Sequence, residues 1–523
     1  MLALAFLLIL ALAAAFRLPA LGLRPFHGDE ANQAVRTGML LEDGVYEYDP
    51  HEHHGPTLYY LALIPLRLTG TDTLEDATEA TLRLLPAVFG IALIALLWPL
   101  RHALGPGATL TAALFTALSP ALTFYSRYYI QEPLFIFFAF AALVSGWRYC
   151  QRPTLTMAAL TGACLGLTFA TKETCVLIFL AMALAIAGTV GIACLRKNGD
   201  GTKRVPKRVD YPHFSAIRVA AFLLAGLIVS VVLFSSFFTH WQGVLDSIRA
   251  FTTYLTRAEG EGSAGIHDHP WHYYLSLLTY TYRAAGQRYT EALPLVLGGF
   301  GALYALLRPQ RNAVDNGVHL ERFLALYTLV LVVLYALIPY KTPWNLLPCY
   351  QPLLLLAGIG LAALVRGLRW RPLQGVALLL LTTAMAHLGW QAYRVNFVYP
   401  AHEGNPHVYA HTSTNALRMV ERINNIAALN PNSAQMPIII VQPDGDYWPL
   451  PWYLRHFDNA GYWEAPPATA DAPILIADTA VHPALANQLQ ADYMIQTYGL
   501  RPGEHRLLYI RRDLWDRFMA ERQ

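Results

Sequence analysis

Residues 2–31 read LALAFLLILALAAAFRLPALGLRPFHGDEA, in which fifteen apolar residues from Leu2 to Phe16 are followed, a short way on, by Pro25-Phe26-His27-Gly28-Asp29-Glu30-Ala31. An uncharged run of that length approaches the roughly 20 residues that cross a bilayer as a helix, and the acidic pair then stands at its mouth. Ten further apolar stretches begin near Leu82, Gly107, Pro133, Leu155, Cys175, Ile217, Leu293, Phe323, Leu346 and Leu373, so the spacing predicts about eleven transmembrane helices. Composition agrees: 55% of the 523 residues are hydrophobic and 14% charged, against roughly 25% charged in ordinary soluble chains. A small secreted domain, a disordered chain and a single soluble globule are excluded. The 38 basic and 35 acidic residues leave a net charge of +3, which gives no indication of a nucleic-acid partner. The five cysteines form no CxxC pair, so neither a disulfide framework nor a zinc ribbon is readable.

Lys and Arg mark cytoplasmic loops. Sixteen of the 28 basic residues before Arg394 fall in alternate connections, around Arg101, Arg148, Arg196 to Arg218, Arg308 to Arg322 and Arg366 to Arg371. The opposite set includes the loop from Arg24 to Thr81 (24–81), which holds eleven of the 22 acidic residues before Arg394 and is therefore expected outside an inner (plasma) membrane. Residues 1 to 16, with Ala13-Ala14-Ala15 as a cleavage site, also read as a signal peptide lacking its basic n-region; the acidic loop lies outside on either reading. The stretch Asn198 to Pro212 is a basic inner loop, read as a topology signal or a contact for anionic headgroups. Two domains are expected: 1–393 in the membrane and an extracytoplasmic tail, 394–523, with 23 charges in 130 positions. In that tail Pro437 to Val441 and Pro473 to Ala477 read as buried strands, with helices over Thr414 to Ala428 and Pro483 to Gln490, which makes a small α/β domain.

Four outward elements carry chemistry. A carboxylate at Asp29 or Glu30, at the bilayer surface, is placed to act as a general base; equally, Asp29 is a residue type that caps the helix Glu30 to Leu41. The stretch Tyr48 to Leu58 gathers Asp49, His51, Glu52, His53 and His54 before a Gly55-Pro56 turn entering an interfacial helix. Its spacing selects no metal geometry, so contacts to phosphate and sugar hydroxyls are favoured over a metal cage. In Ser126 to Pro133, Arg127 and Glu132 pair either with each other or with a ligand, and Tyr128 and Tyr129 fit an aromatic belt. The hairpins Thr171-Lys172-Glu173-Thr174 and Tyr340-Lys341-Thr342-Pro343-Trp344-Asn345 each place one lysine outside, against the positive-inside bias. Phosphate binding and interfacial snorkelling both account for such lysines.

These motifs together resemble the GT-C glycosyltransferase superfamily, in particular the dolichyl-phosphate-mannose protein mannosyltransferases and the lipid A aminoarabinose transferases. Lys341-Thr342-Pro343, Leu347-Pro348 and Gln351-Pro352-Leu353 are similar to the lysine loop and following span of the aminoarabinose group. His27 to Ala31, His53-His54-Gly55-Pro56, Lys341 to Trp344 and Asp446 to Leu454 resemble a prokaryotic membrane family labelled flippase-activity-associated. The resemblance implies Asp29 as base, Glu30 as its support, and Arg127 and Lys172 as phosphate ligands. Its Glu-Lys-Pro-Pro turn is here His53-His54-Gly55-Pro56, which passes that lysine's role to His54 or Lys341, and its Thr-Lys-Gly is here Thr171-Lys172-Glu173.

The expected function is therefore inverting transfer of a sugar from a polyprenyl-phosphate donor to a protein, lipid or glycan acceptor hydroxyl outside the membrane. His27, Asp49, His51, His53, His54, Tyr128, Glu132, Glu173 and Lys341 join Arg127 and Lys172 as candidate substrate contacts. No cofactor is required by this reading; a divalent metal on Asp29, Glu30, His54 and Glu132 is compatible with it, because oligosaccharyltransferases of the superfamily use one. Two other classes compete. A lipid-linked-sugar flippase needs polar groups deep within its spans, where these spans read almost wholly apolar. A non-catalytic scaffold explains the tail equally well.

Overall fold

The computed structural model describes residues 1–51, 54–199, 215–258, 267–282, 288–308 and 319–522. Glu52, His53 and most of the basic loop Asn198 to Pro212 lie outside the described residues.

Each of the eleven apolar stretches forms one helix. Seven are long and apolar enough to cross a membrane: Glu79–Leu104, Glu132–Gln151, Cys175–Leu195, Ala216–Phe234, Leu320–Leu337, Pro343–Gly367 and Arg371–Val398. The other four, Leu2–Arg17, Pro106–Leu118, Leu155–Phe169 and Ala292–Leu307, are shorter apolar helices. Proline recurs in their first turns, as at Pro106 and Pro133, where its missing N–H has no partner to lose. Burial sorts the long helices: the apolar window of Pro343–Gly367 is 78% buried and that of Ala216–Phe234 only 6%, so the former is a central element and the latter a peripheral one, packed by one face on Leu155–Phe169.

The first loop holds two helices between the entry helix α1 (Leu2–Arg17) and α4 (Glu79–Ala95). They are α2 (Gly28–Asp43), which carries the acidic pair, and α3 (Thr57–Leu68), the short apolar helix expected after Gly55-Pro56.

The tail forms a five-stranded sheet in the order β2-β1-β3-β5-β4, with β1 Ile438–Val441, β2 Ala460–Trp463, β3 Ile474–Asp478, β4 Tyr493–Arg501 and β5 Glu504–Arg511. β1 runs parallel to β2 and β3, whereas β5 is antiparallel to β3 and β4. The helix Thr414–Ala427 lays Met419, Ile423 and Ile426 on Ile438, Ile440 and Ile476 to make the tail's core. This domain packs onto the first loop. The backbone N–H of Phe26 donates to the Tyr453 hydroxyl (2.7 Å), Trp452 Nε1 to Glu79 (3.0 Å), and Arg455 to the carbonyls of Leu74 (3.1 Å) and Ala77 (2.8 Å). Tail and first loop thus share one side of the helical bundle.

Candidate active site

The first turn of α2 is fixed by a reciprocal cap. His27 has extended backbone, its Nδ1 accepts the Asp29 N–H (3.0 Å), and Glu30 Oε2 accepts the His27 N–H (3.1 Å). The capping residue is therefore His27 and not Asp29, the residue that sequence reading offered for that role. Capping requires an unprotonated Nδ1. Burial supplies it, pushing the His27 imidazole below its usual range against the upward pull of Asp29.

Glu30 is fully buried, with both oxygens occupied: Arg83 Nε and Nη2 donate at 2.7 and 2.8 Å, and the Tyr129 N–H donates at 2.8 Å. Burial by itself raises a carboxyl, but here the Arg83 and Arg24 guanidiniums outweigh it and hold Glu30 below the ordinary carboxylate range. Arg83 also donates to the carbonyls of Leu21, Arg24 and Pro25, so one buried ion pair ties the approach to α2 onto α4. No Glu30 oxygen remains for substrate or metal.

Asp29, by contrast, has a half-exposed side chain, with His27 Nδ1 3.7 Å from its carboxylate. Its negative charge acts on His267, Tyr409 and Arg501, favouring the protonated form of each. His267 Nδ1 and the Tyr409 hydroxyl are 2.6 Å apart, and Arg501 is held by Asp446 through two contacts of 2.5 and 2.7 Å. Asp29 thus stands half exposed on a capped helix turn, near Tyr409 and Arg501 of the tail.

A second cluster forms where the His54-Gly55-Pro56 turn meets the Thr171 hairpin. Gly55 passes so close to Ala170 that a Cβ there would lie 2.3 Å from its carbonyl oxygen, which explains the glycine; Thr57 N–H then donates to the same carbonyl (3.1 Å). The approach brings His54 Nδ1 to 2.8 Å from Glu173 Oε2, whose other oxygen accepts from the Tyr48 hydroxyl (2.7 Å). Burial raises Glu173, but His54 and Tyr48 outweigh it and keep its carboxyl low. Lys172, adjacent in sequence, points elsewhere: it pairs with Glu132 and donates to Asn345 Oδ1 (3.2 Å). Trp344, next to Asn345, packs on His27 (ring centroids 5.8 Å apart) and Tyr128 (6.0 Å). Trp344-Asn345 therefore links the His27 cap to the Lys172 ammonium.

The remaining sequence candidates are placed differently. Arg127, expected at a phosphate or on Glu132, instead donates to the carbonyls of Phe16, Arg17, Pro19 and Ala20, satisfying the free carbonyl end of α1. Lys341 is buried and donates to the carbonyls of His269 (3.1 Å) and Ile338; burial pushes its ammonium below the usual range. Asp49 accepts from the backbone of His51 (2.8 Å) in a local turn, and His51 is exposed. Tyr128 is buried beneath the Arg24 guanidinium, 4.5 Å from its ring. His53 is outside the described residues. Asp29, Glu30, His54 and Glu132 do not assemble as metal ligands. Glu30 is taken by Arg83, Glu132 by Lys172 and His54 by Glu173, and among the described residues no three His, Cys, Asp or Glu side chains cluster closely enough to hold an ion. These residues do not fit a divalent metal.

Sequence reading overlooked Arg83, Tyr48, Asn345, His267, Tyr409 and Arg501. Only Arg83 carried a signal: an arginine at the start of an apolar span must find an anion.

The family model for dolichyl-phosphate-mannose-protein mannosyltransferases matches residues 53–199. No curated protein matches the sequence. Among solved structures, the fold is similar to ArnT from Cupriavidus metallidurans bound to undecaprenyl phosphate (14% identity, 97% of this chain and 98% of that chain, TM-score 0.64). It is also similar to the archaeal oligosaccharyltransferase AglB from Archaeoglobus fulgidus in complex with an inhibitory peptide and a dolichol-phosphate (13% identity, 98% and 74% covered, TM-score 0.54). Over nearly its whole length, then, this integral membrane chain shares the fold of ArnT and AglB, the kind of fold its motifs led one to expect.

Proposed function

We propose that the protein is a glycosyltransferase that takes a sugar from a polyprenyl-phosphate carrier and delivers it, with inversion, to an acceptor hydroxyl on the extracytoplasmic face. The observation that carries this reading is a half-exposed Asp29 on a capped helix turn, with a Lys172 ammonium linked to that turn through Trp344-Asn345. Two solved proteins of the same fold hold a polyprenyl phosphate, undecaprenyl phosphate in one and dolichol-phosphate in the other.

In the proposed displacement the acceptor oxygen attacks the anomeric carbon while its proton passes to the Asp29 carboxylate. The bond from that carbon to the phosphate oxygen breaks, and the electron pair leaves with the lipid phosphate. Lys172 stabilises the departing phosphate as charge accumulates on it. Glu132, paired with Lys172, keeps the ammonium aimed until phosphate competes for it. Phosphate leaves readily, so a positioned base and cation suffice without a protein nucleophile. Glu30 acts at one remove, by holding the Asp29 turn in place.

The test is reconstitution in lipid nanodiscs with polyprenyl-phosphate sugars of different identity and a pool of envelope lipids, glycans and proteins. Transfer with inverted anomeric configuration, read by NMR of the product, supports the proposal. Movement of the lipid-linked sugar across liposome membranes with no covalent product overturns it in favour of a flippase.

A further inference from the structure

The helix Gln242–Ala258, outside the site described so far, presents two apolar faces. Its inner face is packed: Ser247 and Ala250 are buried, and Phe251 stacks on Phe169 with ring centroids 6.0 Å apart. Its outer face is bare. Trp241, Leu245, Ile248 and Leu255 follow one another at helical spacing and are each more than half exposed, and Phe237 and Phe238 in the preceding turn extend the stripe.

The neighbouring span says what covers that stripe. Ala216–Phe234 packs one face on Leu155–Phe169 and leaves Ile217, Leu223, Leu224, Leu227 and Ile228 exposed on the other, a face that needs lipid, and the turn at its end redirects the chain at once. Ser236, Phe237 and Phe238 adopt φ of 49°, 56° and 73°, a left-handed conformation that non-glycine residues take only under constraint. The Ser236 hydroxyl supplies the constraint, accepting the Tyr46 N–H at 2.9 Å and lying 2.5 Å from the Tyr60 hydroxyl on α3. Gly243 then passes so near the end of the span that a Cβ would lie 2.2 Å from the Phe234 carbonyl oxygen. The bare stripe therefore begins where a lipid-facing helix ends, at the level of the membrane surface, and its aromatic start suits that boundary.

The inner face reaches the site. The Tyr254 hydroxyl lies 2.8 Å from His54 Nδ1, and the two rings stack with centroids 5.8 Å apart. We propose that Gln242–Ala258 lies in the membrane surface with its Trp241-to-Leu255 stripe at the headgroup–acyl boundary, and that Tyr254 sets His54, and with it Glu173, at that level. The second half rests on the reading of the site as taking a lipid-linked donor. A lipid-linked donor then reaches a site set at the headgroup level without leaving the bilayer.

Two measurements test this. Nitroxide labels at Ile248→Cys and Leu255→Cys in liposome-reconstituted protein are expected to relax with oxygen and to be shielded from an aqueous nickel chelate. Labels at Gln242→Cys and Asp246→Cys should show the reverse. Equal nickel accessibility at all four positions overturns the membrane placement. The second measurement compares donors: Ile248→Asn/Leu255→Asn should raise KM about tenfold for a long-chain polyprenyl-phosphate sugar in vesicles, as expected on losing one or two apolar anchors. The same variant should leave a water-soluble short-chain donor unaffected, while Tyr254→Phe should raise KM for both. Equal loss with both donors in the stripe variant overturns the proposal. Should the unaltered protein transfer from neither donor, the glycosyltransferase reading fails, and the label depths still decide where the helix lies.

Discussion

Replacing Glu30 by glutamine separates support from chemistry in this site. The Glu30 carboxylate is fully buried and accepts four hydrogen bonds, two from Arg83 and one each from the His27 and Tyr129 backbones. Glutamine keeps the shape but not the charge: one acceptor oxygen becomes an amide nitrogen facing N–H donors, and the buried Arg83 loses its main counter-ion. Removing one partner of a buried pair costs about 3–5 kcal/mol, and losing half of the capping box adds about 1 kcal/mol. We therefore expect Glu30→Gln to destabilise the protein by several kcal/mol and to loosen residues 25–31. Reversible unfolding in mixed micelles gives the first quantity and hydrogen exchange the second. Replacing both Glu30 and Arg83 by methionine should recover part of the loss, because neither buried charge is then stranded. Stability of Glu30→Gln within about 0.5 kcal/mol of the unaltered protein, the range of an ordinary surface change, would refute the argument.

Lys172→Ala should weaken binding of a polyprenyl-phosphate sugar by about 1.5–3 kcal/mol, the worth of a charged hydrogen bond, as read by titration calorimetry in nanodiscs. Arg127→Ala should lower thermal stability and leave donor affinity alone, because its guanidinium serves the carbonyls of α1; the reverse pattern would return Arg127 to the phosphate. Glu173 is held below the usual carboxylate range in the fold, so its stabilising contribution is present above the unfolded value of 4.5 and is lost as pH falls through the lower folded value. The stability difference between the unaltered protein and Glu173→Gln should accordingly vanish only in acid below that range, as melting curves taken down the pH scale will show. For topology, a cysteine at Glu403 should label with an impermeant reagent from outside intact cells, and one at Arg369 only after the membrane is opened; the opposite result inverts the proposed orientation.

The helices of the membrane part were legible because each is an apolar run that stands out against charged loops; all eleven such runs became helices, seven of them long enough to cross a membrane. In the tail, β1 and β3 were legible for the same reason: Ile438 to Val441 and Ile474 to Ala477 are buried on both faces and read as unbroken apolar runs. β4, Tyr493–Arg501, mixes Gln, Thr, Gly and Arg with aromatics because much of it is only half buried, and no period betrays it. In the site, the motifs named the right loops but not the partners within them. Lys172 and Glu173 are neighbours in sequence, yet they serve different networks, one reaching Glu132 and Asn345 and the other Tyr48 and His54. Adjacent residues at a hairpin point apart, and only the fold brings residue 48 to residue 173 or residue 501 to residue 29. Arg127 shows the converse: a charge at an outward loop suggested a ligand, while the unsatisfied carbonyls at the end of α1 had the prior claim on it.

The central claim is that Asp29 removes the acceptor proton. Asp29→Asn keeps the size of the side chain, and because His27 is the cap and Glu30 the ion-pair partner, it should leave stability and donor affinity nearly unchanged. A general base acts only as the acceptor oxygen gives up its proton, so the loss should appear in turnover, by about 10²-fold or more. The measurement is single-turnover transfer from a defined polyprenyl-phosphate sugar in nanodiscs, with donor affinity determined on the same preparation. Intact donor binding with transfer reduced by that factor is the predicted result. Folded Asp29→Asn protein that transfers sugar at the unaltered rate would contradict the account.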